Sequence, residues 1–195
     1  MKKWLPFIII AVIVVWAYGS IKGFNNTAVS FEEDAKTTWS NVESSYQRRA
    51  DLIPNLVATV KGYAAHESET LEAVIKARAA ATSTKIDAGN LSPEKMAQFQ
   101  KAQQGLSGAL GRLMVVAERY PDLKANTNFL ELQSQLEGTE NRINVARNRF
   151  NNGVNVYNKH IKIFPNSIFA GWFGFEEMSR YQAAEGSEKA PEVKF

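Results

Sequence analysis

An uncharged run from Trp4 to Ile21, held between Lys2-Lys3 and Lys22, decides where the rest of the chain must live. At helical rise its 18 residues cover roughly 27 Å, close to the hydrocarbon thickness of a bilayer. Leu5, Phe7, Ile10, Val14 and Ile21 supply the apolar body, while Trp4 at one end and Trp16 with Tyr18 near the other stand where interfacial aromatics hold a spanning helix. Pro6 is tolerable in a first helical turn. These features predict a single membrane anchor over residues 1–22. Two other assignments compete for the same stretch. Ala17-Tyr18-Gly19 resembles a small-x-small cleavage site after a secretory leader, although bulky Trp16 and Tyr18 suit an interface better than a processing site. A buried core helix is disfavoured because the run is apolar on every face and a domain of this size seldom encloses such a helix.

With the anchor set aside, the remaining length is right for one domain. The net charge is +3, but Lys2 and Lys3 supply two of those charges and leave +1 for residues 4–195, so the basic pI gives no argument for a nucleic-acid partner. The absence of cysteine excludes disulfides and thiolate chemistry and fits either side of a membrane. Flanking charge suggests an orientation: Lys2, Lys3 and the α-amino group precede the run, whereas Lys22 is followed by Glu32, Glu33 and Asp34. The cationic bias places the N-terminus in the cytoplasm and the domain outside it.

Gly19, Ser20, Gly23, Asn25 and Asn26 predict a flexible joint over residues 23–29. A domain over residues 30–180 follows, with helical spacing in Ala35, Trp39, Val42 and Tyr46 and again in Ile53, Val57, Val60 and Ala64. Pro54 predicts a kink or a break between two helices, with Arg48, Arg49 and Asp51 as ion pairs and caps beside it. Ser92-Pro93-Glu94 is the clearest helix start, followed by Met96, Phe99, Gln103, Leu106, Leu110, Leu113 and Ala117 and ending at Tyr120-Pro121. Asn128 with Glu131 resembles a capping box for a last helix of roughly 51 Å, whose stripe runs from Phe129 through Ile143 and Phe150 to Ile161. The fold class is all-α: one N-terminal transmembrane helix, then an elongated antiparallel bundle of three to four long helices. Residues 181–195 read as a disordered tail.

Chemistry-bearing patterns are weak. His66, Glu69 and Glu72 at three-residue steps form at most a poor metal set, and no His-Glu-x-x-His occurs. Gly105, Gly108 and Gly111 follow no strand and precede no Lys-Ser or Lys-Thr, so they suit close helix approach better than phosphate binding. No catalytic, cofactor or metal residues are assigned. Two features suit contacts instead. Asn144, Asn148, Asn151, Asn155 and Asn158 step by four and three and form an amide stripe, either a solvated face or register-fixing network, or an interaction surface. Phe169, Trp172, Phe173 and Phe175, with two glycines among them, suit either packing at one end of the bundle or an adaptable apolar surface for lipid or a partner.

Arg48-Arg49-Ala50-Asp51-Leu52-Ile53-Pro54-Asn55-Leu56-Val57, Glu118-Arg119-Tyr120-Pro121-Asp122-Leu123-Lys124-Ala125-Asn126 and Thr139-Glu140-Asn141-Arg142-Ile143 resemble the bacterial LemA family. So do Ala146-Arg147, Phe150-Asn151, Tyr157-Asn158 and Phe164-Pro165, in one collinear order from about Trp39 to Phe175. Phe150 departs from the pattern, since many members have Tyr there. The resemblance implies a helical-bundle membrane protein with one N-terminal membrane segment, relatives at magnetosome membranes and no established catalytic site. The combined expectation is a single-pass protein of the bacterial inner membrane, its domain outside the cytoplasm, acting as a non-enzymatic scaffold with the lipid bilayer, further copies of itself or another membrane protein as partners. Alternatives are an adaptor or modulator of a membrane protease or envelope-stress complex, and an enzyme with an unrecognised site in the bundle.

Overall fold

The computed structural model describes residues 4–89 and 91–182, and among them every regular element is helical. Helix α1 (Leu5–Tyr63) is 59 residues long, which at helical rise is roughly 88 Å. Its N-terminal third is lipid-like and exposed, from Trp4 and Phe7 through Ile10, Val14, Trp16 and Tyr18, and this one helix is long and apolar enough to cross a membrane.

The joint over residues 23–29 does not form; Gly19, Gly23, Asn25 and Asn26 are all helical. Interior glycine costs about 1 kcal/mol relative to alanine, and tertiary packing overrides it here. Phe24 and Ala28 are buried against Tyr157, Ile161 and Ala170, which fixes the helix through the stretch where propensity alone would release it. The break at Pro54 is likewise absent. Proline cannot donate to the carbonyl four residues earlier, that of Ala50, and the Arg78 guanidinium donates to it instead, Nε to O at 2.8 Å. Arg49 is buried rather than capping a helix end, and Asp51 accepts from Gln47 one turn before it.

After a short turn come α2 (Ser68–Ser83) and α3 (Pro93–Ala117), with Ser92 capping α3 by accepting from the Lys95 N–H. A single turn, α4 (Pro121–Lys124), leads into α5 (Thr127–Lys162), which returns antiparallel along α1, and a short α6 (Asn166–Phe173) closes the end nearest the membrane segment. The N-cap of α5 is Asn126, whose side chain accepts from the Phe129 N–H, two residues earlier than the expected Asn128. The core lies in three layers along the bundle axis. Ile53, Leu56, Val60, Val74, Leu113 and Leu123 belong to the distal layer. Trp39, Phe99 and Phe150 meet edge to face in the middle one, and Phe24 with Tyr157 and Ile161 forms the proximal one.

Close helix approach occurs at a glycine the periodicity did not mark. A Cβ on Gly153 would sit 3.4 Å from Thr38 Oγ1 and 3.5 Å from Ala35 Cα, whereas Cβ atoms on Gly105, Gly108 and Gly111 would meet nothing within 4 Å. Tyr181, expected to begin a disordered tail, is buried in the middle layer with its hydroxyl 2.7 Å from that of Tyr46. The rest of that expected tail, residues 183–195, lies outside the described residues.

Candidate functional site

Two surfaces singled out from sequence lie along α5 and α6. The first is the asparagine stripe, and its lower half holds the chain's own backbone. Asn158 donates to the Met178 carbonyl and accepts from the Met178 N–H, both at 2.9 Å. Asn151 does the same to Tyr181, at 2.9 and 2.8 Å, and between them Asn155 accepts from Arg180. The spacing is geometric: seven helical residues rise about 10.5 Å and three extended residues span about 10 Å, so one amide per heptad meets every third residue of a strap running antiparallel to α5. Tyr157 adds a bond from its hydroxyl to the Glu176 carbonyl. Asn144 and Asn148 are exposed and line a groove with Gln104, Arg147 and Gln182. Periodicity located the stripe; the main chain it grips lies 20 to 30 residues further on and left no local signal.

Replacing Asn158 with Ala removes both partners of the Met178 peptide groups and should cost roughly 1–3 kcal/mol. Hydrogen exchange of the Met178 amide in the full-length protein would accelerate while that of distal-core amides such as Leu113 stays unchanged. An unaltered Met178 rate would mean the amide contributes nothing to holding the strap.

The second surface is aromatic. Phe24 of α1 stacks on His160 at 5.3 Å between ring centroids and meets Phe169 and Phe175 at 5.7 Å each. Those two residues are therefore packing groups, half-buried against α1. Trp172 is 72% exposed, and Phe173 stacks on Phe24 at 6.4 Å while half of its surface stays open, so the aromatic patch passes from an inner part that closes the bundle to an outer part facing outwards.

A polar spine runs between the helices and draws in three of the resemblance-motif residues, Arg49, Glu140 and Arg147. Arg49, 3% exposed, donates to Ser107 at 2.9 Å, to Glu140 at 3.1 Å and to Gln103 Oε1 at 2.8 Å, tying α1 to both α3 and α5. Arg147 donates to the Tyr46 hydroxyl and lies over the Tyr181 ring. Burial pushes the Tyr46 hydroxyl well above its ordinary range and raises that of Tyr157 to about 12, so both stay protonated at neutral pH and serve as hydrogen-bonding groups. At the distal end the Tyr120 hydroxyl and Arg119 both donate to Glu67, Lys124 pairs with Glu118, and Asn126 donates to the Tyr63 hydroxyl. Pro121 opens α4 and Pro165 precedes α6; Asn55 is exposed on α1, its carbonyl accepting from Thr59, and Arg48 is exposed.

A groove of about 320 Å³ between α1, α2 and α3 is lined by Glu43, Tyr46, Gln47, Thr84, Lys85 and Phe99. Burial raises the Glu43 carboxyl above its ordinary value, and among the described lining residues it is the only carboxylate. His66 lies in the turn before α2 and not on the helical face with Glu69 and Glu72, and among the described residues no group of three His, Cys, Asp or Glu is gathered for a metal.

With this architecture in view, residues 38–195 match the LemA family, a span that takes in most of the bundle. The chain belongs to the LemA family. Among curated proteins it is 29% identical to magnetosome protein MamQ 2 of Paramagnetospirillum magneticum, over 80% of this chain and 64% of that protein. It is 28% identical to magnetosome protein MamQ of Magnetospirillum gryphiswaldense over the same shares, and 23% identical to protein LemA of Metamycoplasma hominis over 84% of this chain and 71% of the relative. The chain thus spans 64% of the length of the MamQ proteins it matches. The matched LemA-family region begins one residue before Trp39, inside α1, so the apolar third of that helix and the family domain share one unbroken element.

Proposed function

We propose that this LemA-family protein is a non-enzymatic scaffold of the bacterial inner membrane, in which the bundle stands on the bilayer as one stiff body and gathers copies of itself or another membrane protein. The observation that carries this reading is the continuity of α1. Its apolar third and its bundle portion are a single helix, locked at Phe24 and Ala28, so the orientation of the span is the orientation of the domain. Confinement to a membrane raises the local concentration of weak contacts, so modest interfaces suffice for assembly there. The magnetosome names of the MamQ relatives accord with work at a membrane. The spine of Arg49, Tyr46 and Arg147 supports this reading because both Arg49 terminal nitrogens and the Tyr46 hydroxyl are engaged in joining helices, although the buried Arg49 Nε has no partner among the described residues.

A photo-crosslinking residue in place of exposed Asn148, on the open end of the amide stripe, is expected to trap a homo-oligomer or one membrane neighbour in intact cells. Monomer alone, there and at a second exposed position such as Arg142, would remove the scaffold reading. The cationic flank supports a domain outside the cytoplasm. Protease added to cells with an opened outer envelope should digest the domain, and digestion only after the cytoplasm is opened would reverse the orientation.

A further inference from the structure

The end of the bundle at Phe24 carries large apolar side chains that remain 45–80% exposed, Phe173 with one face stacked on Phe24, and their height relative to the membrane segment is set by the continuous α1. Phe24 lies three residues beyond Ile21, about 4.5 Å along the axis, and His160 of α5 stacks on it. Because α5 descends antiparallel to α1, Ile163 and Phe164 fall another turn lower, level with the end of the apolar run. Phe164 is 80% exposed, and Ile163, Ile168, Trp172 and Phe173 are exposed with it. Lys22, one residue beyond Ile21, is exposed near that level, and exposed Lys159 lies about a turn further from the span.

We propose that the α5–α6 turn and the outer face of α6 form a second membrane contact, seated in the lipid interface beside the span. It rests on the assignment of residues 4–21 as a membrane anchor. The occupant is the interfacial region of the bilayer itself, for three reasons. The patch adjoins the apolar surface of α1, so it continues a lipid-facing surface and does not open a new one. Its composition, Trp and Phe above a short helix with flanking lysines, is that of interfacial segments, where an aromatic ring sits among headgroups and a cation meets lipid phosphate. At eight residues α6 is far too short to cross, so it can only lie along the surface. The bundle then touches the bilayer at two points, the span and the α6 face, and two points resist tilting where one does not.

The chain has no cysteine, so single cysteines can carry nitroxide labels in the full-length protein reconstituted in lipid nanodiscs. Phe164→Cys and Ile168→Cys, which leave Trp172 in place, are compared with Val14→Cys inside the span and Lys76→Cys at the distal end. The expected result is that labels at 164 and 168 collide more with oxygen and less with a water-soluble nickel chelate than the label at 76, shifting towards the values at 14. If positions 164 and 168 match position 76 while 14 remains lipid-like, the anchor stands and the second contact is overturned, leaving the patch for a protein partner. If 14 is itself water-like, the anchor assignment fails first.

Discussion

Replacing Arg49 with Ala is expected to destabilise the bundle by about 2–4 kcal/mol, from the loss of a buried side chain and of the hydrogen bonds it makes to two other helices. The guanidinium is nearly inaccessible and bonds to Ser107, Gln103 and Glu140 while lying 5.0 Å from the Tyr46 ring centroid. Its loss strands the buried Gln103 amide and leaves a cavity where α1, α3 and α5 meet. Arg49→Lys should recover only a small part, because a single ammonium cannot reach acceptors on two helices as a planar fork does. Glu140→Gln keeps an acceptor for Arg49 and the surrounding packing but takes the counter-charge from a guanidinium that is 3% exposed, so it should cost less than the alanine variant and more than the loss of an exposed ion pair. Urea unfolding of the full-length protein in detergent, followed by near-ultraviolet circular dichroism, measures all three. An alanine variant within about 1 kcal/mol of the parent would mean the spine is incidental to stability.

The second large effect is expected from Asn26→Pro. Proline in a helix interior removes one backbone bond, clashes with the carbonyl four residues earlier and costs about 3 kcal/mol or more. Among the described residues no side chain donates to the Lys22 carbonyl in the way that Arg78 donates to the Ala50 carbonyl behind Pro54. The variant should keep its distal and middle core layers yet lose the fixed angle between span and bundle. Nitroxides at Val14→Cys and Ser44→Cys, about 45 Å apart along a straight helix, would give one narrow distance distribution in the parent and a broad or displaced one in the Asn26→Pro variant. An unchanged distribution would show that the packing of α6, and not helix continuity, holds the angle. Loss of crosslinking at position 148 in the same variant would connect stiffness to assembly.

What sequence disclosed follows from how far each cause lies from its effect. The Ser92-Pro93 start is local and is found as written, and the stripe of Ala35, Trp39, Val42 and Tyr46 is buried throughout because a single helix face encodes it. Pro54 and the 23–29 stretch misled because their resolution comes from elsewhere: Arg78 lies 28 residues from Ala50, and Phe24 is held by residues of α5 and α6. Glycine spacing drew attention to Gly105, Gly108 and Gly111 on an open face, while at Gly153, isolated in sequence, α5 lies against Ala35 and Thr38 of α1. The amide stripe was visible at its heptad period, but periodicity cannot say whether an amide faces water, another protein or its own chain. Asn151 and Asn158 face their own chain.

A rod fixed in a bilayer is also a lever. From Ile21 to Tyr63 α1 extends 42 residues, about 63 Å, with no hinge to absorb rotation. A spanning helix adjusts to a thinner or thicker hydrocarbon layer by changing its tilt, and a change of about 10° at the span would carry Tyr63 sideways by about 11 Å. Bilayer thickness would thereby be converted into the lateral position of the distal turn where Asn126 bonds Tyr63, and the proposed α6 contact at the fulcrum would set how much of that swing is permitted.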